Sequence, residues 1–159
     1  MTENSKENIP EQRSNKPVFV DRRILRSQAF KELGGTATKV LLVFLSKRQV
    51  QQIKTSKRQF WADTNRGEIT FTYREAEKKY GISRHAFYRA VTELMDLGFV
   101  DIYEPGVEYA RVSTKYGISD RWENYGKPGF VPVKRVSRPA FRHEKAEFAA
   151  HDHKARKTS

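Results

Sequence analysis

The 159-residue chain contains no cysteine. A disulfide framework, a thiolate zinc site and a cysteine nucleophile are therefore excluded, and nothing points to an oxidising compartment. Acidic residues are scarce beside basic ones, 19 against 31, so the formal charge is +12 with histidine neutral. A field of that sign concentrates polyanions and speeds their encounter without specifying which polyanion it meets. Nucleic acid is the first candidate and an anionic membrane surface the second. Long apolar runs are also missing. None is long enough to span a bilayer, and residues 1–16 lack the apolar core of a signal peptide, so no membrane partner and a cytoplasmic location are expected. Apolar residues make up 37% of the chain and charged residues 31%, a balance that predicts one modest core with unstructured ends.

The side-chain groupings that carry catalysis are lacking as well. Asp63, Glu68, Glu75 and Glu77 do not form a paired-carboxylate pattern, and no glycine-rich phosphate loop is present. Tyr73, Tyr80 and Tyr88 have no accompanying histidine cluster of the kind a DNA-nicking tyrosine needs. His143, His151 and His153 have neither a cysteine nor a second structured ligand pair beside them, so no metal and no cofactor are expected. No enzymatic activity is expected either.

What is present is organised as one domain between polar ends. Residues 1–17 carry Asn, Ser, Glu, Gln and Lys with almost nothing to bury and read as a disordered arm. Phe19 and Val20 predict a short extended segment, followed by a brief helix over 27–33 that Gly34 ends at positive φ, with Gly35 as a hinge. From residue 36, Ala37, Val40, Leu41, Phe44 and Leu45 recur at the three-and-four spacing of a buried helical face. That scaffold helix is expected to run to about Ile53, with Lys54, Lys57 and Arg58 as a basic link that could widen an electrostatic footprint. Phe60–Trp61 and Ile69–Phe71 predict two strands around a turn at 63–67, with Phe60, Trp61 and Trp122 assigned to the core, the alternative being an outward surface for a protein or RNA partner.

The densest signals lie between residues 72 and 100. Thr72 and Glu75 have capping-box spacing, Gly81 can end the helix they start, Ile82 fills the angle, and Ser83 can cap a second helix over 83–97. That helix buries Phe87, Ala90, Val91 and Leu94. At about 100° per residue, Arg84, His85, Tyr88, Arg89 and Thr92 then face outward, with no carboxylate among them. Arginine suits bidentate contact with guanine and also grips phosphate, and the other three types can serve either purpose. Gly98 ends the helix before a strand over 99–103, Pro105-Gly106 breaks the strand, and a strand over 114–118 returns beside the Ile69 strand. The loop 104–113 carries Arg111, and Lys115 follows it. Trp122, Tyr125 and Phe130 are expected to pack back on the domain. The basic tail over 131–159, with Lys134, Arg135, Arg138, Arg142, Lys154, Arg156 and Lys157, is expected to be disordered around a short helix near 143–150 and to add sequence-independent affinity through counterion release.

The run Gly81-Ile-Ser-Arg-His-Ala-Phe-Tyr-Arg-Ala-Val-Thr-Glu-Leu-Met-Asp-Leu-Gly-Phe-Val100 resembles the winged helix-turn-helix signature of bacterial transcriptional regulators and replication initiators. The match covers roughly residues 69–118, with 30–45 similar to the preceding scaffold helices. The run 116–126 is similar to helix-turn-helix proteins of bacteria, some of them associated with plasmids or other mobile elements. This resemblance implies an α+β fold with a three-helix core and a small antiparallel β-wing, its third helix in the major groove and its wing on adjacent backbone or minor groove. It also implies that Arg84, Tyr88 and Arg89 occupy common DNA-contact positions. The pattern departs from familiar regulators in having no dimerisation helix and no effector domain, so a homodimer stays open.

The expectation is therefore a sequence-specific double-stranded DNA-binding protein with its domain at 18–130, nucleoid-associated and regulating transcription. Ser83, Arg84, His85, Tyr88, Arg89, Thr92, Arg111 and Lys115 are its DNA-binding set. Two alternatives accompany it: a plasmid or mobile-element replication initiator, and a winged-helix module that binds protein or RNA.

Overall fold

The structure is a computed structural model that describes residues 17–107 and 111–135. Nearly all of the arm expected over 1–17, the helix expected near 143–150, the three tail histidines and the tail cations beyond Arg135 lie outside the described residues. The described chain is α+β, with five α-helices and two small antiparallel sheets.

Two short helices open the fold, α1 (Arg22–Arg26) and α2 (Gln28–Lys31). Asp21 starts the first by accepting from the Arg23 amide, and Ser27 starts the second by accepting from the Phe30 amide. The α1 helix was not anticipated. Gly34 is not a positive-φ helix end, and Gly35 is not a hinge. Gly34 has φ −68° and caps α3 (Gly35–Lys47), and its N–H donates to the Glu93 carboxylate at 2.6 Å. An acid at a helix start satisfies the free amides and complements the helix dipole, so the chain enters α3 without a left-handed residue.

The scaffold helix stops at Lys47 and does not reach Ile53. Its end is decided by Asn65, whose side chain donates to the Lys47 carbonyl at 2.9 Å and accepts from the Gln49 amide at 2.8 Å. With that exchange made, residues 50–54 leave as a strand. They form β1 (Val50–Lys54), which pairs with β2 (Gln59–Asp63) so that Gln52 faces Trp61 and Ile53 faces Phe60. The expected hairpin around 63–67 is thus replaced by one turning at 55–58, and the basic link is its tip. Phe60 and Trp61 are not core: they are 49% and 67% exposed.

The second sheet has the order β3 (Ile69–Thr70), β5 (Lys115–Ile118), β4 (Val100–Glu104), antiparallel throughout. Between β3 and β4 lie α4 (Tyr73–Tyr80) and α5 (Arg84–Asp96). Thr72 caps α4 by accepting from the Glu75 amide, while the Glu75 carboxylate goes to Lys47 at 2.8 Å. Only one half of the expected capping box is therefore made. Gly81 takes φ +64°, and the Ile82 amide reaches back to the Ala76 carbonyl at 3.0 Å. That left-handed residue, favoured in glycine, turns the chain sharply between the two helices.

A single core joins these layers. Phe71 is its hub, packing edge-on against Phe44 of α3 (5.4 Å), Tyr80 of α4 (5.6 Å) and Phe87 of α5 (4.7 Å). Each such ring pair contributes about 0.5–1.5 kcal/mol beyond area burial, so this residue fixes how α5 sits on α3 and α4. Beyond β5, a 3-10 turn at Arg121–Asn124 buries Trp122 against Phe99, rings stacked at 5.9 Å. Arg121 stitches the next segment down, donating to the Met95 carbonyl at the end of α5, to Asp101 and to the Val131 carbonyl. Residues 131–135, assigned to the tail from sequence, lie along the domain, with Val133 packed on the core.

Candidate nucleic-acid interface

The α5 helix is held rigidly from behind. Ser83 caps it by accepting from the Ala86 amide, and Phe87, Ala90, Val91 and Leu94 are each no more than 2% exposed. At its far end Gly98 has φ +84°, and the amides of Gly98 and Phe99 return to the carbonyls of Met95 and Leu94. With one face locked and both ends capped, the opposite face is fixed in direction. Arg84, His85, Tyr88 and Arg89 are exposed on it, and Thr92 is half-buried.

Two phenol rings and two guanidinium groups cluster at the N-terminal half of that face. The Arg84 guanidinium lies 5.0 Å from the centre of the Tyr73 ring, and Tyr73 is itself held edge-on by Phe87 at 5.3 Å. Arg135 lies 4.4 Å over the Tyr88 ring and donates to the Tyr73 hydroxyl at 3.2 Å. Planar guanidinium on an aromatic face is a favourable cation–π geometry, and here it limits how far either arginine can wander. Thr92 is more constrained: its hydroxyl donates to the Tyr88 carbonyl at 2.9 Å, leaving only lone pairs to offer.

Charge changes sign along the helix. Below Tyr88, Arg89 and Thr92 a shallow groove is also lined by Glu32, Glu93 and Asp96. Hydrogen bonds from Tyr125 and Gln28 hold the Glu32 carboxyl below the usual carboxylate range, so it is ionised at neutral pH. These carboxylates oppose a polyanion at the C-terminal half. On α5 the cations stand at residues 84–89, with Arg135 beside them.

Arg111 and Lys115 stand on a different element, the β4–β5 ribbon. Arg111 is exposed with φ +53°, next to the Val107–Val112 bridge. Lys115 is paired with Glu104 at 2.6 Å, a bond that raises the lysine's pKa and fixes its charge. That carboxylate offsets the lysine's charge where a phosphate would sit, which sequence reading did not foresee. Tyr73 and Arg135 were missed as members of the cluster. The Thr72 cap placed Tyr73 in the first turn of α4 and could have flagged it; nothing local marks Arg135, which arrives through the path of the C-terminal segment.

The chain finds no match among family models, curated proteins or solved structures. No helix among the described residues is long and apolar enough to cross a membrane.

Proposed function

We propose that the chain is a sequence-specific double-stranded DNA-binding protein of the winged helix-turn-helix type, regulating transcription by occupying its site. The observation that carries this is the free face of α5: Arg84, His85, Tyr88 and Arg89 exposed on a helix fixed by the Gly81 turn, the Ser83 cap and a fully buried opposite face. A helix that enters the major groove leads with its N-terminal residues, and here those are the cationic ones. The carboxylates of Glu93 and Asp96 at the other end favour the same orientation. The charge of +12 supplies long-range attraction, and the β4–β5 loop with Arg111 supplies a grip on adjacent backbone.

Selection from a random pool of duplexes, followed by sequencing, tests this directly. A single enriched motif is expected, and a labelled duplex bearing it should show fluorescence anisotropy that falls steeply with salt, log K dropping by about 0.9 per phosphate neutralised. No binding to any duplex at low salt refutes the proposal. Enrichment of a palindrome would report a two-fold dimer.

A further inference from the structure

Among the described residues, the β1–β2 ribbon is tied to the body only at its base, where Asp63 pairs with Arg48, Thr64 bonds Gln49, and Asn65 bridges Lys47 and Gln49. Beyond that base every residue from 50 to 61 is exposed. The register sets Trp61, Gln52, Val50 and Lys54 on one face and Phe60 with Ile53 on the other, so large apolar groups are open to solvent on both sides. An isolated two-stranded hairpin is marginally stable in water at best, which makes a bound partner the natural way to cover these faces. Its turn is closed by two bonds between Thr55 and Arg58 and by the Arg58 amide on the Thr55 hydroxyl. Lys54, Lys57 and Arg58 therefore project from a defined tip. No ion pair to any of the three is present among the described residues, and the strand acid Asp63 sits at the far end, already engaged.

We propose that this ribbon is a second DNA-contacting arm. Its tip neutralises phosphates of duplex flanking the segment read by α5, while Trp61 on one face and Phe60 on the other lie against opposite walls of the groove. The inference rests on the DNA-binding function proposed above. Charge complementarity selects the occupant. A second copy of the ribbon would bring the same cations and be repelled, whereas duplex DNA presents dense negative charge and a major groove about 12 Å wide that admits a two-stranded ribbon.

The chain's own fluorescence supplies the test. It has two tryptophans, of which Trp122 is 5% exposed and stacked on Phe99 while Trp61 is 67% exposed. Titrating mixed-sequence duplex is expected to quench wild-type emission and to leave that of Trp61→Phe unchanged. In the triple variant Lys54→Ala, Lys57→Ala, Arg58→Ala, the slope of log K against log salt should become shallower by about 2 to 3, with the preference for the selected site over scrambled duplex retained. Duplex binding with an unmoved Trp61 signal and an unchanged slope overturns the ribbon proposal and leaves the DNA-binding function standing. No duplex binding by the wild type removes both. A dimer in sedimentation that Trp61→Ser converts to monomer would make the ribbon a contact between copies and would likewise overturn the proposal.

Discussion

Replacing Arg84 with alanine separates the part of the interface that reads sequence from the part that grips. The guanidinium is exposed and touches the fold through the Tyr73 ring at 5.0 Å, an interaction worth about 0.5–1 kcal/mol at an exposed site. Alanine is also the better helix former by a few tenths of a kcal/mol. Folding stability should thus fall by less than about 1 kcal/mol, so that any larger effect on DNA is a binding effect. If Arg84 makes a bidentate base contact, specific binding should weaken by about 1–3 kcal/mol, roughly 5- to 150-fold in Kd. Scrambled duplex should change far less. If it contacts only phosphate, both duplexes should weaken alike and the salt slope should fall by about 0.9. Anisotropy with the selected and scrambled duplexes at two salt concentrations, beside a urea melt, distinguishes these outcomes. Unchanged affinity for both duplexes with an unaltered melt would refute entry of the N-terminal half of α5 into the groove.

Three other perturbations probe the fold and the surrounding charges. Gly98→Ala places a Cβ at φ +84°, 2.7 Å from the Trp122 nitrogen; about 1–2 kcal/mol of left-handed strain and about 1–3 kcal/mol of overpacking predict a large drop in the urea midpoint, and a loss under about 1 kcal/mol would contradict this packing. Glu104→Gln frees Lys115, so its raised pKa should return toward 10.5. Both partners of this pair are exposed and screened by solvent, so stability should barely change, while the salt slope should steepen by about 0.9; an unchanged slope takes Lys115 out of the interface. Glu32 has a depressed pKa in the fold, so its contribution is present above its ordinary value of 4.5 and is lost as pH falls through the lower folded value. Glu32→Gln should accordingly flatten the acid limb of the stability curve, and an acid limb identical to wild type would mean that the Tyr125 and Gln28 bonds do not persist in solution.

Where the sequence could be read correctly, the determining interactions are local. The Thr72 and Ser83 caps, the left-handed Gly81 and Gly98, and the three-and-four spacing of Phe87, Ala90, Val91 and Leu94 are all settled within a few residues of chain. They place α4 and α5 and, with them, the exposed face of α5. The β4–β5 ribbon was legible for the same reason: a glycine-terminated helix followed by alternating residues and Pro105-Gly106 leaves the chain few other courses.

The misread elements depend on partners distant in sequence. Periodicity alone carries the scaffold helix past Lys47; Asn65 ends it by taking its last carbonyl and the next amide. Gly34 reads as a helix end until Glu93 supplies the hydrogen bond that makes it a helix start. Phe60 and Trp61 read as core because apolar residues usually are, yet the pairing of Val50–Lys54 with Gln59–Asp63 lifts both away from the body. The placement of Arg135 on Tyr88 follows from Arg121 and Val133 anchoring the segment before it. The sequence by itself therefore determined the two helices, their caps and the residues free to face a ligand. The tertiary structure alone decided where the cations cluster, which carboxylates oppose them, and that the basic residues 54–58 form the tip of an exposed ribbon, because those outcomes depend on contacts that no local pattern encodes.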